Sequence, residues 1–98
     1  MILHLAVARF KPGTDPAIIR NFFEEIGTLH HDVPGIVNYS WGANDSPEGL
    51  SQGFTHGLAM TLRDAQVREA YLNHPRHLAL KQAVLPHLDQ VVVVDYPV

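Results

Sequence analysis

The spacing of apolar residues predicts four strands along this chain. From Ile2 to Phe10 nearly every position is apolar, so both faces of this first strand are expected to be covered. Further strands are predicted at Ile36–Gly42, Phe54–Leu62 and Val91–Tyr96, where β-branched and aromatic residues concentrate or alternate with a period of two. In the second strand, the residues expected to share one face are Val37, Tyr39 and Trp41.

Helices are predicted between these strands. Asp15 is placed to cap the first helix, with Pro16 at its first position, where the missing N–H costs nothing. Apolar residues then recur at helical spacing at positions 18, 19, 22, 23, 26 and 29. A second helix is predicted at Ala65–Leu72, with Val67, Ala70 and Tyr71 inward. His74-Pro75 interrupts it, and a helix from Arg76 to Leu88 follows, with Leu80, Ala83, Val84 and Leu88 inward and with Pro86 expected to end or kink it.

The element order β-α-β-β-α-β predicts the fold class. It is α+β and ferredoxin-like, with one antiparallel sheet and helices on one face. Ninety-eight residues predict a single domain over residues 1–98. No helix remains to cover the second face of the sheet, so we expect a homodimer that forms through this open face. The open face is expected to carry His4, Ala6 and Ala8, or their strand neighbours.

Composition narrows the class of protein. A net charge of −3 provides no basic surface, so nucleic acid and membranes are not expected as partners. The absence of cysteine excludes disulfides, a thiolate nucleophile and cysteine-ligated metal. No run approaches the ~18 apolar residues of a membrane-spanning helix. The N-terminus does not resemble a secretory signal, and a cytoplasmic protein is expected. Seven histidines are the compositional oddity.

The stretch from Tyr71 to His77 is the best candidate for chemistry. It places a phenol and two imidazoles around the break between two helices. An imidazole can act as a base near neutral pH, and a phenol can donate a hydrogen bond to a developing oxyanion. The break at His74-Pro75 could turn Tyr71 and His77 toward each other. From these residues alone, the favoured interpretation is a core aromatic at Tyr71 and a structural hydrogen-bonding group at His77.

A metal centre is not expected. His74 and His77 are three positions apart, but His74 is expected to precede the helix, and the sequence indicates no third ligand. His74 fits the simpler role of capping the helix that begins at Pro75. The chain also lacks a glycine-rich phosphate loop and a Gly-x-Ser-x-Gly nucleophile elbow.

Four motifs together resemble the stress-responsive A/B barrel domain family. The resemblance covers nearly the whole chain, in the family's order and with similar spacing. It implies a dimeric α/β barrel, in which two ferredoxin-like protomers face each other sheet to sheet. The motifs are His4 with Phe10-Lys11, Gly53-Phe54-Thr55-His56-Gly57, Tyr71 followed by His74-Pro75-Arg76-His77, and Asp95-Tyr96.

The resemblance also implies a site, because one member of the family is a cyclase that closes a linear polyketide by aldol condensation. On that pattern His77 would be the general base and Tyr71 its partner. His4 and His56 would line the substrate pocket. Ile26 stands where the cyclase has a pocket tyrosine. The cyclase uses no cofactor, so none is expected here.

Three functions remain open from the sequence. The first is a small-molecule enzyme, a cyclase or lyase acting on a hydrophobic keto compound. The second is a non-catalytic, stress-related dimer that binds a ligand or supports other proteins. The third is a cofactor-independent monooxygenase, which uses a similar dimeric barrel. The His-Pro-x-His pattern favours the first two.

Overall fold

The computed structural model covers residues 1–98 and has one four-stranded antiparallel sheet. The strand order β2-β3-β1-β4 is that of the ferredoxin-like fold, which confirms the prediction from the element order. None of the helices is both long enough and apolar enough to cross a membrane. The elements are β1 (Ile2–Phe10), α1 (Pro16–Gly27), β2 (Ile36–Ala43), β3 (His56–Leu62), α2 (Ala65–Asn73), α3 (Pro75–Val84) and β4 (Leu88–Pro97), with 3₁₀ turns at Leu29–His31 and Leu85–His87.

Aspartate side chains cap the first turns of α1 and α2. The Asp15 carboxylate accepts a hydrogen bond from the backbone N–H of Ala17 at 2.9 Å, and Asp64 caps α2 through Val67 at the same distance. The last helix does not extend to Leu88, and it ends near the proline that was expected to end or kink it. The regular helix stops at Val84, and Leu88 already belongs to β4. The reason is Pro86, which lacks the N–H that a longer helix would need and lies instead in a 3₁₀ turn.

Two predictions about buried faces are corrected. Val37 is exposed because the pairing of β2 with β3 shifts register between Ile36 and Asn38, which turns Ile36 toward the core instead. Ala70 and Ala83 are also exposed, since α2 and α3 bury only narrow stripes. Strand β3 begins at His56 rather than Phe54, and the segment before it forms a turn closed by Phe54 N–H and the Ser51 carbonyl.

The hydrophobic core lies between one face of the sheet and the helices. Phe23 of α1 stacks on Trp41 of β2 with ring centroids 5.0 Å apart, and Tyr39 donates to the Phe23 carbonyl at 2.6 Å. These contacts fix α1 across the sheet. The buried core residues are Phe23, Ile26, Leu29, Val33, Leu58, Met60, Leu62, Val67 and Tyr71.

The two faces of the sheet separate cleanly. His4, Ala6 and Ala8 of β1 lie on the helix side, where His4 is buried and Ala6 packs against the core. The opposite, open face therefore carries their strand neighbours, one of the two sets that the sequence allowed. We call this surface the open face; its apolar residues are Leu3, Leu5, Val7, Val92, Val94 and Tyr96.

Candidate active site

A cavity of about 530 Å³ lies on the helix side of the sheet, bounded by β1, β4, α1 and α3. Its volume is within the roughly 300–1,000 Å³ that small-molecule sites usually have. Fifteen of its 19 lining residues are hydrophobic, so it suits a largely apolar ligand. The polar groups that line it are the side chains of His4, His77, Lys81 and Gln82, with the phenol of Tyr71.

The cavity reaches solvent at the β4 edge of the sheet. Val91 and Val93 point to the helix side, yet they are 49% and 53% exposed. Leu78 and Leu85 of the facing segment also line the cavity and are exposed. This apolar rim between β4 and α3 is the mouth through which a ligand could enter.

The break between α2 and α3 brings Tyr71 and His77 together. His74 lies between the helices in an extended conformation, and its Nδ1 accepts a hydrogen bond from the backbone N–H of Arg76 at 3.1 Å. His74 therefore caps α3, as predicted. Because the chain changes direction here, the rings of Tyr71 and His77 have centroids 4.3 Å apart although six positions separate them.

His77 is arranged as a neutral base. The His77 side chain belongs to a residue that is only 5% exposed, and Nδ1 of its ring lies 3.1 Å from the carbonyl oxygen of Leu72. A carbonyl can only accept, so Nδ1 carries the proton and Nε2 holds the free lone pair. Burial, the main cause, lowers the pKa of His77 below its usual value. The ring is therefore neutral at neutral pH.

Tyr71 is arranged as a hydrogen-bond donor. The residue is only 2% exposed, and burial raises the pKa of its phenol well above the usual value. Its hydroxyl makes no hydrogen bond within the chain, and no side-chain polar atom that is sealed from solvent lacks a partner. The hydroxyl therefore reaches the cavity surface, where it is free to donate to a ligand. The same argument applies to Nε2 of His77.

His4 is the third polar group around the phenol. Its ring lies edge-on to Tyr71, with centroids 5.8 Å apart. Strand pairing places His4 opposite Asp95, and its Nδ1 lies 2.6 Å from Oδ1 of that carboxylate. The other oxygen, Oδ2, accepts from Nη1 of Arg68 at 3.3 Å. The carboxylate holds the tautomer with Nδ1–H, which leaves Nε2 of His4 available to the cavity.

The remaining two predicted site residues lie differently. Ile26 lines the cavity and is buried. His56 does not line it; its ring packs against Phe23 and Phe10, with centroids 5.9 and 5.6 Å apart. Its Nδ1 lies 2.8 Å from Oγ1 of Thr55. The structure thus brings together His4, Ile26, Tyr71 and His77, and places His56 outside the cavity.

Three charged residues were not predicted at the site. Asp95 meets His4 only through the register of β1 with β4, and Arg68 of α2 bonds to Asp95 from behind. Lys81 carried a sequence signal, since it follows His77 by four positions and such residues share one face of a helix. No group of three or more histidine or acidic side chains is placed to hold a metal ion.

The fold and the cavity define a class, a ferredoxin-like α+β protein whose cavity is lined by a buried tyrosine that contacts two histidine rings. The sequence matches the model of the Stress responsive A/B Barrel Domain over residues 2–98, so the chain belongs to this family. It is 30% identical to the stress-response A/B barrel domain-containing protein HS1 of Arabidopsis thaliana over 95 residues, 97% of this chain and 87% of that protein.

More distant relatives include named enzymes. The chain is 23% identical to olivetolic acid cyclase of Cannabis sativa over 95 residues, 97% of this chain and 94% of that protein. Its fold matches the hydroxynitrile lyase of Passiflora edulis with a TM-score of 0.88 at 22% identity, over 99% of this chain and 92% of that one. A dimeric ferredoxin-like protein of unknown function from Jannaschia matches with a TM-score of 0.90 at 23% identity, over 99% and 98%.

Proposed function

We propose that this protein binds a hydrophobic carbonyl compound in the cavity and catalyses a cofactor-free aldol cyclisation, with His77 as the base. One observation carries the proposal. The buried ring of Tyr71 packs against the imidazoles of His4 and His77 at the wall of an apolar cavity. The similarity to a protein named as a cyclase supports the same reading.

The proposed reaction uses the groups in the protonation states described above. Nε2 of His77 removes a proton from a carbon next to a substrate carbonyl, and the C–H electron pair becomes the enolate. The hydroxyl of Tyr71 donates a hydrogen bond to the enolate oxygen, where negative charge develops. The enolate carbon then attacks a second carbonyl of the same substrate and forms a C–C bond. The resulting alkoxide takes the proton back from the His77 imidazolium.

His4 has a supporting role in this proposal. Asp95 accepts the Nδ1 proton of His4, so Nε2 is left to hydrogen-bond with an oxygen of the substrate. Arg68 holds the second oxygen of Asp95 and so restrains the carboxylate. The apolar lining keeps water from the enolate, which would otherwise be protonated before it could react.

A hydrogen–deuterium exchange experiment tests the role of His77. The probe is 2-nonanone in D₂O, and proton NMR measures the loss of hydrogen from the carbons beside its carbonyl. We expect the wild type to accelerate exchange over buffer, and His77→Asn to reduce that acceleration by about 10²-fold or more. An asparagine amide can still donate to the Leu72 carbonyl but offers no basic nitrogen.

His30→Asn is the matched control. His30 is exposed and outside the cavity, and its Nδ1 also donates to a backbone carbonyl, that of Gly27 at 2.7 Å. This variant should exchange like the wild type. Equal exchange in wild type and His77→Asn would refute the role of His77 as base. Saturable shifts of the Tyr71 and His77 ring protons, without any exchange, would favour the alternative of a non-catalytic ligand-binding dimer.

The proposal includes a homodimer formed through the open face. Its apolar residues Val7, Val92, Val94 and Tyr96 are 40–52% exposed, a large hydrophobic surface for a small protein. Burying this surface against a second copy would cover the side of β1 that no helix covers. The dimeric state named for the ferredoxin-like protein from Jannaschia supports this arrangement.

A further inference from the structure

We propose that Lys81 selects ligands that carry a carboxylate, so that the cavity takes a hydrophobic oxo acid in preference to a neutral carbonyl compound. This inference rests on the proposed function, because it specifies the substrate class of the same cavity. Three observations support it: the position of Lys81, its lack of a partner, and its spacing from His77.

Lys81 lies on the wall of the cavity and extends to solvent. It belongs to α3, one helical turn after His77, and lines the cavity together with Val84 of the same helix. The residue as a whole is exposed. A lysine in such a position packs its aliphatic stem along apolar surface and holds its ammonium group at the water boundary. The charge thus lies beside the mouth that α3 and β4 form.

Lys81 is the only lysine or arginine among the residues that line the cavity, and no aspartate or glutamate lines it. Its ammonium makes no hydrogen bond or ion pair within the chain. The acid that lies behind His4, Asp95, is already bonded to His4 and Arg68. In contrast, four of the arginines pair with carboxylates: Arg9, Arg63, Arg68 and Arg76.

An unpartnered cation next to an apolar cavity favours an amphiphilic anion. The alkyl or aryl part of such a ligand would fill the cavity, and its carboxylate would meet the ammonium group at the rim. The charge of Lys81 also contributes to the lowered pKa of His77, after burial, which agrees with its closeness to the base.

The spacing along α3 indicates where a carbonyl would lie. Four residues of helix advance about 6 Å along the axis. A carboxylate held by Lys81 would therefore place a carbonyl a few bonds further along the ligand near Tyr71 and His77. A hydrophobic oxo acid has this layout, whereas a simple ketone has no group for Lys81.

A binding experiment with matched probes tests the inference. Octanoate and octanamide have the same chain length and differ in charge, and 2-nonanone supplies a neutral ketone. Isothermal titration at low salt should show that the wild type binds octanoate about three- to tenfold more tightly than octanamide. Lys81→Gln should remove this preference and leave the affinity for octanamide unchanged. Lys11→Gln makes the same charge change at an exposed lysine outside the cavity and should keep the preference.

The outcomes separate this inference from the proposed function. Equal affinities for octanoate and octanamide in the wild type would overturn the role of Lys81, and so would a preference that survives in Lys81→Gln. Either result, with 2-nonanone still bound, leaves the cavity as a site for neutral carbonyl compounds. If none of the three probes binds a folded wild type, both the inference and the proposed function fail.

Discussion

Burial gives Tyr71 and His77 complementary protonation states. Removal from water disfavours the charged form of each group, so it raises the pKa of the phenol and lowers that of the imidazole. Near neutral pH the phenol can therefore donate a hydrogen bond and the imidazole can accept a proton. Proton abstraction beside a carbonyl needs this combination, in which the base is free and the donor is still protonated. Burial thus gives Tyr71 and His77 the protonation states that the proposed reaction needs.

The same burial predicts a pH dependence of stability. Because the pKa of His77 is lower in the folded state, the unfolded chain binds the proton first as the pH falls below about 6.5. The stabilisation that His77 contributes is therefore fully present above about pH 6.5. It is lost as the pH falls from there toward the pKa that His77 has in the folded protein. One group can contribute a slope of at most about 1.4 kcal/mol per pH unit.

Urea unfolding of wild type and His77→Asn at pH 7.5 and 5.0 measures this contribution. We expect the wild type to lose more stability over this interval than the variant, at equal protomer concentration. His56 also has a pKa lowered by burial, but it is present in both proteins, so the difference isolates His77. Identical losses would show that His77 keeps its solution pKa in the folded protein.

At the scale of elements, one residue ties α3 to the rest of the molecule. The guanidinium of Arg76, at the start of α3, donates to Oγ1 of Thr28 at 2.7 Å and forms ion pairs with Glu25 and Asp32. These partners lie in α1 and just after it. The first turn of α3 also contains His77, so this connection helps to hold the proposed base against the cavity.

A glycine before β2 limits the position of α2. Gly35 has a φ of +105°, and a Cβ added there would lie 2.5 Å from Cγ2 of Val67, one turn before Tyr71. We expect Gly35→Ala to lower the free energy of unfolding by about 2 kcal/mol or more, because it combines backbone strain with a steric clash.

Gly13→Ala is the control for the backbone contribution. Gly13 also has a positive φ, +82°, but an added Cβ there would meet nothing within 4 Å. We expect Gly13→Ala to lower the free energy of unfolding by only about 1 kcal/mol, through backbone strain alone. Equal urea midpoints for the two variants would show that α2 moves freely away from residue 35, and so would weaken the case for a rigid Tyr71.

At the scale of the whole molecule, the side chains of β4 face two different surfaces in alternation, the cavity and the open face. Val93 faces the cavity and Val94 faces the open side of the sheet, with nearly equal exposure of 53% and 52%. Side chains that alternate along a strand point to opposite faces, so neighbouring residues face the cavity and the proposed dimer interface.

This pair provides a test of the dimer. Val94→Lys would place a charge in the open face, and we expect it to sediment as a protomer of 10.9 kDa. Val93→Lys introduces the same side chain on the cavity side and should sediment like the wild type, at twice that mass. A Val94→Lys variant that stays dimeric would show that the two copies associate through another surface.

Local interactions account for the parts of this protein that the sequence predicted well. The caps at Asp15, Asp64 and His74 bond within three residues along the chain, and the proline at 75 sets the helix break that joins Tyr71 to His77. Such contacts depend on neighbours that are adjacent in the sequence. The strand order also follows from the succession of elements, because few arrangements of that succession pack well.

Long-range packing decided the rest. The pairing of His4 with Asp95 and the shifted register at Val37 depend on how strands far apart in the chain align, and His56 is kept from the cavity by packing against Phe10 and Phe23. A shift of one residue would move every side chain to the other face, and the apolar pattern of β1 suits either face. The sequence by itself therefore predicted the order of the elements and named Tyr71 and His77 as candidates for an acid–base pair. Only the tertiary structure decided which residues share a cavity, because that choice belongs to the register of the sheet.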